Sequence, residues 1–192
     1  MLRTMVFIDY LNFDIALKDL FTKYKEPFPR LDYAKLAAKL TKEIPNSILT
    51  KTYLCYPEPD DFLKGDTYWA GFERSMSGWQ NVPFLDVIKG RYVSRDAPGA
   101  KRDIADPLSY VKQEKGTDIN IATHMLTKAF NNSLDAVILL SADTDYSSTL
   151  EVLRTIGKLS LVAVMDGQTS KLCSIADKQY IMKKEYFKDC LR

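Results

Sequence analysis

The chain is short of the residues that announce several common chemistries. It has three cysteines, Cys55, Cys173 and Cys190, widely spaced and without a C-x-x-C pair. Any pairing would leave one over, so the expectation is a reduced, cytoplasmic protein without a zinc site. A glycine-rich phosphate loop is missing, which argues against a P-loop nucleotide enzyme. No apolar run is long enough to span a membrane, and the run after Met1 is too short for a signal-peptide core. The net charge is only +2, so any basic surface that meets nucleic acid must be local. There is one histidine, His124, and no internal repeat or low-complexity linker. What remains is a chain of 192 residues with the composition of a globular protein. It reads as a single domain over 1–192 with ample core.

The chain is organised around Leu134–Leu153. Val137-Ile138-Leu139-Leu140 is short, apolar and partly β-branched, as a strand buried on both faces of a parallel sheet should be. Ser141, Asp143 and Asp145 follow it, then a helix that Gly157 ends. A first strand, Met5–Ile8, ends at Asp9. Helices are expected at about Asp14–Tyr24, with Ile15, Leu17, Leu20 and Phe21 inward, and at Leu31–Ile44, with Leu31, Ala34, Ala38 and Leu40 inward. Ile48–Tyr56 reads as the second strand, closed by a loop at Pro57 and Pro59. Asp66–Ser77 fits a helix presenting Tyr68, Trp69, Phe72 and Met76. Val82–Ile88 is a third strand, and Gly90–Val93 a further short one. From about 94 to 114 the sequence is polar and irregular, a mobile variable loop with room for a hairpin. Thr117–Phe130 is a helix capped by Thr117 or Asp118, with Ile119, Ala122, Met125, Leu126 and Ala129 along one face. Leu159–Met165 is another buried strand. A C-terminal extension from about 166 to 192 holds a short helix at Ser170–Ala176. Alternating strands and helices imply an α/β fold with a mostly parallel sheet covered on both faces.

Carboxylates recur at the ends of these elements. Asp9 follows the first strand, Asp118 opens a helix, and Asp143 and Asp145 follow the core strand. Each alone has a plain structural explanation as a turn residue or helix cap. Together they say more. The first strand and the core strand of such a sheet are neighbours across the point where strand order reverses, so Asp9 and Asp143 should face each other. Clustered carboxylates repel unless a cation neutralises them. An all-oxygen donor set points to Mg²⁺ or Mn²⁺, and such a site suits phosphoryl chemistry.

Three blocks, F-I-D-Y-L-N (Phe7–Asn12), K-G-T-D-I-N-I-A (Lys115–Ala122) and L-L-S-A-D-T-D-Y-S-S-T-L (Leu139–Leu150) followed by G-K-L, resemble the NYN-domain family of PIN-like nucleases. The resemblance runs from Val6 to about Met165. It implies a PIN-like three-layer α/β sandwich and metal-dependent endoribonuclease activity on RNA; single-stranded RNA is the expected partner. It implies that Asp9, Asp118, Asp143 and Asp145 are both the catalytic and the metal-binding acids. Asn12 would orient substrate or metal-bound water, and Ser141 would help to hold the phosphate or the groups around the metal. There is one departure. Many members carry an Asp where this chain has His124, within Ile121-Ala122-Thr123-His124-Met125. Either His124 stands in for that carboxylate or it is a helix histidine without a role.

Substrate contacts are expected from local charge. Lys89, Arg91, Arg95, Lys101, Arg102, Lys112 and Lys115 fall between the third strand and the Asp118 helix, and Lys89, Arg91 and Lys115 are the main phosphate candidates. Tyr10, beside Asp9, could stack on an unpaired base, as could Phe13, although core packing suits Phe13 better. Tyr146 is expected to be packed. Trp69 and Trp79 belong to the core or to a surface through which the chain forms a homo-oligomer. Two competing readings stand beside the nuclease: a binding or regulatory module with a feeble metal site, favoured by His124, and a phosphatase with an aspartyl nucleophile on the first strand. The last ranks low, because such enzymes usually place a second acid two residues on and position 11 is Leu.

Overall fold

A computed structural model describes residues 1–192. In chain order the elements are β1 (Leu2–Asp9), α1 (Tyr10–Lys23), α2 (Tyr33–Thr41), β2 (Ser47–Glu58), α3 (Thr67–Gly78), β3 (Leu85–Asp96), β4 (Tyr110–Lys115), α4 (Thr117–Phe130), β5 (Ala136–Leu140), α5 (Ser147–Thr155), β6 (Leu159–Met165), α6 (Leu172–Ile175) and β7 (Lys178–Met182). The seven strands form one sheet in the order β4-β3-β2-β1-β5-β6-β7. Every neighbouring pair is parallel except β3 and β4. From β1 the chain winds outward through β2 and β3. It returns to β5 beside β1 and winds the other way through β6 and β7. The reversal between β1 and β5 opens a crevice beyond their carboxyl ends.

The central strands are apolar throughout because both faces are covered. Val6 and Ile8 of β1, with Ile138 and Leu140 of β5, pack against α1, α2 and α3. Phe7, Val137 and Leu139 point the other way, toward α4, α5 and α6. This is the expected mostly parallel sheet with helices on both faces, a PIN-like three-layer sandwich.

Several local expectations are corrected. Helix α1 begins at Tyr10, directly after β1, because the Asp9 side chain caps it by accepting from Asn12 N. Its inward positions are Phe13, Ala16, Leu17, Leu20 and Phe21, a run at helical spacing, whereas Ile15 is 52% exposed. Likewise α2 buries Tyr33, Leu36, Ala37 and Leu40, while Ala38 is exposed. Ile119 of α4 faces outward, 71% exposed. Pro57 lies inside β2 rather than in a loop. The two short strands expected around Gly90 are one, β3. The variable loop is the distal part of a β-hairpin, with β3 and β4 paired from Arg91↔Lys115 to Asp96↔Tyr110. Asp60 pins this hairpin by accepting from Ser94 N at 2.6 Å and Ser94 Oγ at 3.1 Å. The C-terminal extension supplies β7, which pairs with β6. Trp79 is in the core.

Candidate metal centre and its surroundings

The crevice between β1 and β5 is built from two turns that hold each other. Asn12 Oδ1 accepts from Ala142 N at 3.0 Å. Asp9 Oδ1 accepts from Asn12 N at 3.3 Å, and Asp9 Oδ2 accepts from Ser141 Oγ at 3.0 Å. Ser141 Oγ also accepts from Asp143 N at 3.1 Å. Asp143 in turn accepts from Asp145 N at 3.0 Å and so shapes the tight turn that precedes α5. Asn12 and Ser141 thus lace the β1–α1 turn to the β5–α5 turn.

Asp118 reaches the same place from α4. It does not cap that helix: the cap position is Gly116, whose φ of 82° is left-handed, and no side chain caps there. Asp118 Oδ1 instead accepts from the Tyr146 hydroxyl at 2.9 Å. Asp118, Asp143 and Asp145 each place an oxygen within 4.8 Å of the others. Asp9 stands behind this group, only 4% exposed, with Tyr146 OH 3.3 Å from its Oδ2. Tyr146 is packed, as expected, but its hydroxyl also sits between two of the acids.

The electrostatics are those of crowded anions. Burial pushes the Asp9 carboxyl up to about 7 against the hydrogen bonds from Asn12 and Ser141, and the charges of Asp118 and Glu114 raise it further. Asp118 is raised by burial and then by Asp143 and Asp145. Glu114 of β4 is raised by burial and then by the charges of Asp118 and Asp143. The hairpin that brings Glu114 toward these acids is a tertiary feature whose pairing has no mark in the sequence. None of these five acids forms an ion pair with a lysine or arginine. The donor set is all oxygen and lacks a protein cation, which fits a hard divalent ion.

His124 is not part of this group. It lies six residues beyond Asp118, about 9 Å along the helix, with its ring 5.7 Å from that of Tyr53. Of the two readings of His124, its place outside the acid group fits the helix histidine. Cys55 is buried nearby, its thiol pushed up by burial and then by Asp9.

The predicted phosphate contacts gather elsewhere. Lys89, Arg91 and Lys115 line one groove with Glu58, Gly116 and Asn120. Lys89 is paired with Glu58 at 2.8 Å, and Asn120 Nδ2 donates to Lys89 O at 2.9 Å. Asn120 and Asp118 are two residues apart, so they point about 200° away from each other around the helix. The groove and the acid cluster therefore flank opposite sides of the first turn of α4. Gly90 brings them together: a Cβ there would lie 2.1 Å from Thr117 Oγ1. Tyr10 is half-buried, its ring edge-on to Tyr33 and tilted against Phe72, and Phe13 is in the core.

The NYN-domain family model matches residues 3–183. The chain belongs to the NYN-domain family of PIN-like ribonucleases. A search of curated proteins found no match. Among solved structures, this NYN domain is similar to the crystal structure of a protein of unknown function from Vibrio parahaemolyticus, at 19% identity and a TM-score of 0.61, over 100% of this chain and 96% of that one. That likeness carries the fold. The family suggests a nuclease-type fold, and this NYN domain gathers three of its aspartates at the crevice. No helix is long and apolar enough to cross a membrane.

Proposed function

We propose that this NYN domain is a metal-dependent endoribonuclease that hydrolyses phosphodiester bonds of single-stranded RNA at the crevice between β1 and β5. The observation that carries this reading is the convergence of Asp118, Asp143 and Asp145 within 4.8 Å, with no protein cation among them. These three would hold Mg²⁺ or Mn²⁺. When bound, such an ion supplies positive charge for the attacked phosphate and a water acidic enough to attack near neutral pH.

The chain's own residues have separable tasks. Asp145, the most exposed of the three acids, is the one most open to an arriving phosphate. Asp143 orders the turn that carries Asp145. Asp9, buried and hydrogen-bonded to Ser141 and Tyr146, is a positioning residue: it holds the acids from behind rather than meeting substrate. Asn12 and Ser141 act likewise by fixing the two turns. Lys89, Arg91 and Lys115 would take up phosphates of the strand beyond the site. Cys55, Cys173 and Cys190 are free thiols, which fits a reducing compartment such as the cytoplasm.

A second reading, an RNA-binding module with little turnover, is favoured by the occlusion of Asp9, whose two oxygens are both occupied by protein donors. Labelled single-stranded RNA incubated with Mn²⁺, Mg²⁺ or EDTA, beside the Asp143→Asn variant, separates the two. Cleavage that needs metal and vanishes in the variant establishes the nuclease. Binding without cleavage under all three conditions establishes the module.

A further inference from the structure

Helix α3 carries an aromatic surface that packing alone does not explain. Helix α3 is capped by Asp66, whose side chain accepts from Tyr68 N at 2.7 Å, and its first turn presents Tyr68 and Trp69. Trp69 is held from below: its ring meets Tyr92 edge-on at 5.3 Å and Phe72 at 5.8 Å. Tyr68 leans on Trp69 at 5.3 Å, yet is 65% exposed. A ring so exposed gains little from burial. Lys112 Nζ lies 4.6 Å over the Trp69 ring. Lys112 has no carboxylate within ion-pair distance, so its charge is open to a phosphate.

The hairpin joins this surface to the crevice. Side chains alternate along a strand, so Lys112 and Glu114 of β4 share one face, with Tyr92 opposite Glu114. β4 ends at Lys115 and runs directly into α4, whose second residue is Asp118. The step from Lys112 to Glu114 is about 7 Å along the strand. Arg91 and Lys115 fall on the opposite face by the same alternation, toward their own groove.

We propose that Tyr68, Trp69 and Lys112 form a stacking platform for unpaired bases of an RNA strand whose backbone runs on to the acidic cluster. This rests on the ribonuclease reading for its choice of RNA and adds the residues that select single strands. Bases of a duplex are already stacked and paired and cannot lie on the platform. Unpaired bases can, whatever their identity, while the lysine meets their phosphates.

The test is equilibrium binding of the full chain in EDTA to a fluorescently labelled, unstructured RNA and to a fully paired duplex of the same sequence. Wild type, Tyr68→Ala and Lys112→Gln are compared, with melting temperatures recorded for each. Tyr68→Ala should weaken single-strand binding by about 5- to 100-fold, the range of one lost stacking contact, and leave duplex binding and melting unchanged. Lys112→Gln should weaken single-strand binding and lower its salt dependence by about one ion. Tyr68→Ala with wild-type single-strand affinity overturns the platform, as does equal loss on both RNAs. Neither result touches the nuclease, whose test is metal-dependent cleavage lost in Asp143→Asn. Conversely, Tyr68-dependent binding without cleavage keeps the platform and overturns the nuclease.

Discussion

The Tyr146 hydroxyl donates to Asp118 Oδ1 across 2.9 Å, which ties the β5–α5 turn to the start of α4. Asp9 Oδ2 lies 3.3 Å away on the other side of the same hydroxyl. One phenol therefore spaces two acids that come from opposite ends of the site. Tyr146→Phe keeps the buried ring and removes only this link. It should cost about 1–2 kcal/mol of stability and weaken metal affinity about 10- to 100-fold, as loss of a group that orients a ligand does. Thermal melting and Mn²⁺ titration check the two effects separately.

The buried Asp9 makes stability depend on pH. Its carboxyl titrates at about 7 in the folded protein because burial disfavours the charge. In the unfolded chain it titrates near pH 4. A pKa raised by folding contributes stability that is fully present below the unfolded value and is lost as pH rises through the folded one. Metal-free protein should therefore lose stability from about pH 4 to pH 7. Asp9→Asn cannot ionise and should lead wild type by about 1–3 kcal/mol at alkaline pH, with the gap closing in acid. Melts in EDTA across this range decide it; a constant gap would mean that Asp9 is charged throughout.

Divalent ions should stabilise the fold by relieving the same repulsion. An ion that binds only the native state at about a hundred times its Kd adds about 2.7 kcal/mol. For a chain of this length that raises Tm by roughly 5–10 °C. Mn²⁺ or Mg²⁺ should produce such a rise in wild type and little in Asp118→Asn or Asp143→Asn. An undiminished rise in both variants would place the ion elsewhere.

Gly90 is where β3 and the start of α4 touch. A methyl group there would meet Thr117 Oγ1 at 2.1 Å. Gly90→Ala should destabilise by about 1–3 kcal/mol and, by moving Asp118, reduce cleavage as well. Gly65→Ala is the control, since a Cβ at Gly65 meets nothing within 4 Å. Denaturant unfolding of the two variants gives the comparison.

If Lys89, Arg91 and Lys115 take phosphates, each neutral substitution should lower the salt dependence of RNA binding by about one ion. Arg91→Ala and Lys115→Ala are the cleaner pair, because Lys89 already has Glu58 as partner. An unchanged salt slope in both would remove the groove from the RNA path.

Much of this molecule was written locally. The apolar run Val137–Leu140 could only be a strand covered on both faces, and the acids Asp9, Asp143 and Asp145 stand where strands end in a parallel sheet. Three blocks of sequence were enough to mark the family. Other features depended on what lies opposite a residue. The amphipathic faces of α1 and α2 slipped where apolar side chains also point to solvent, as Ile15 does. In the β3–β4 hairpin, the distal part of β3 and most of the edge strand β4 are polar, so hydropathy showed strands only as far as Val93. Yet it is that hairpin which carries Glu114 to the acids and Lys112 to Trp69. Asp118 by itself read as a helix cap; the K-G-T-D block pointed to its place among the acids, and tertiary packing brings its oxygen within 4.8 Å of those of Asp143 and Asp145. Local sequence determines which elements form, because periodicity and turn chemistry act within a few residues. Which acids share one field, and which cation is left without a partner, is decided by contacts between residues far apart in the chain, and tertiary packing alone creates those.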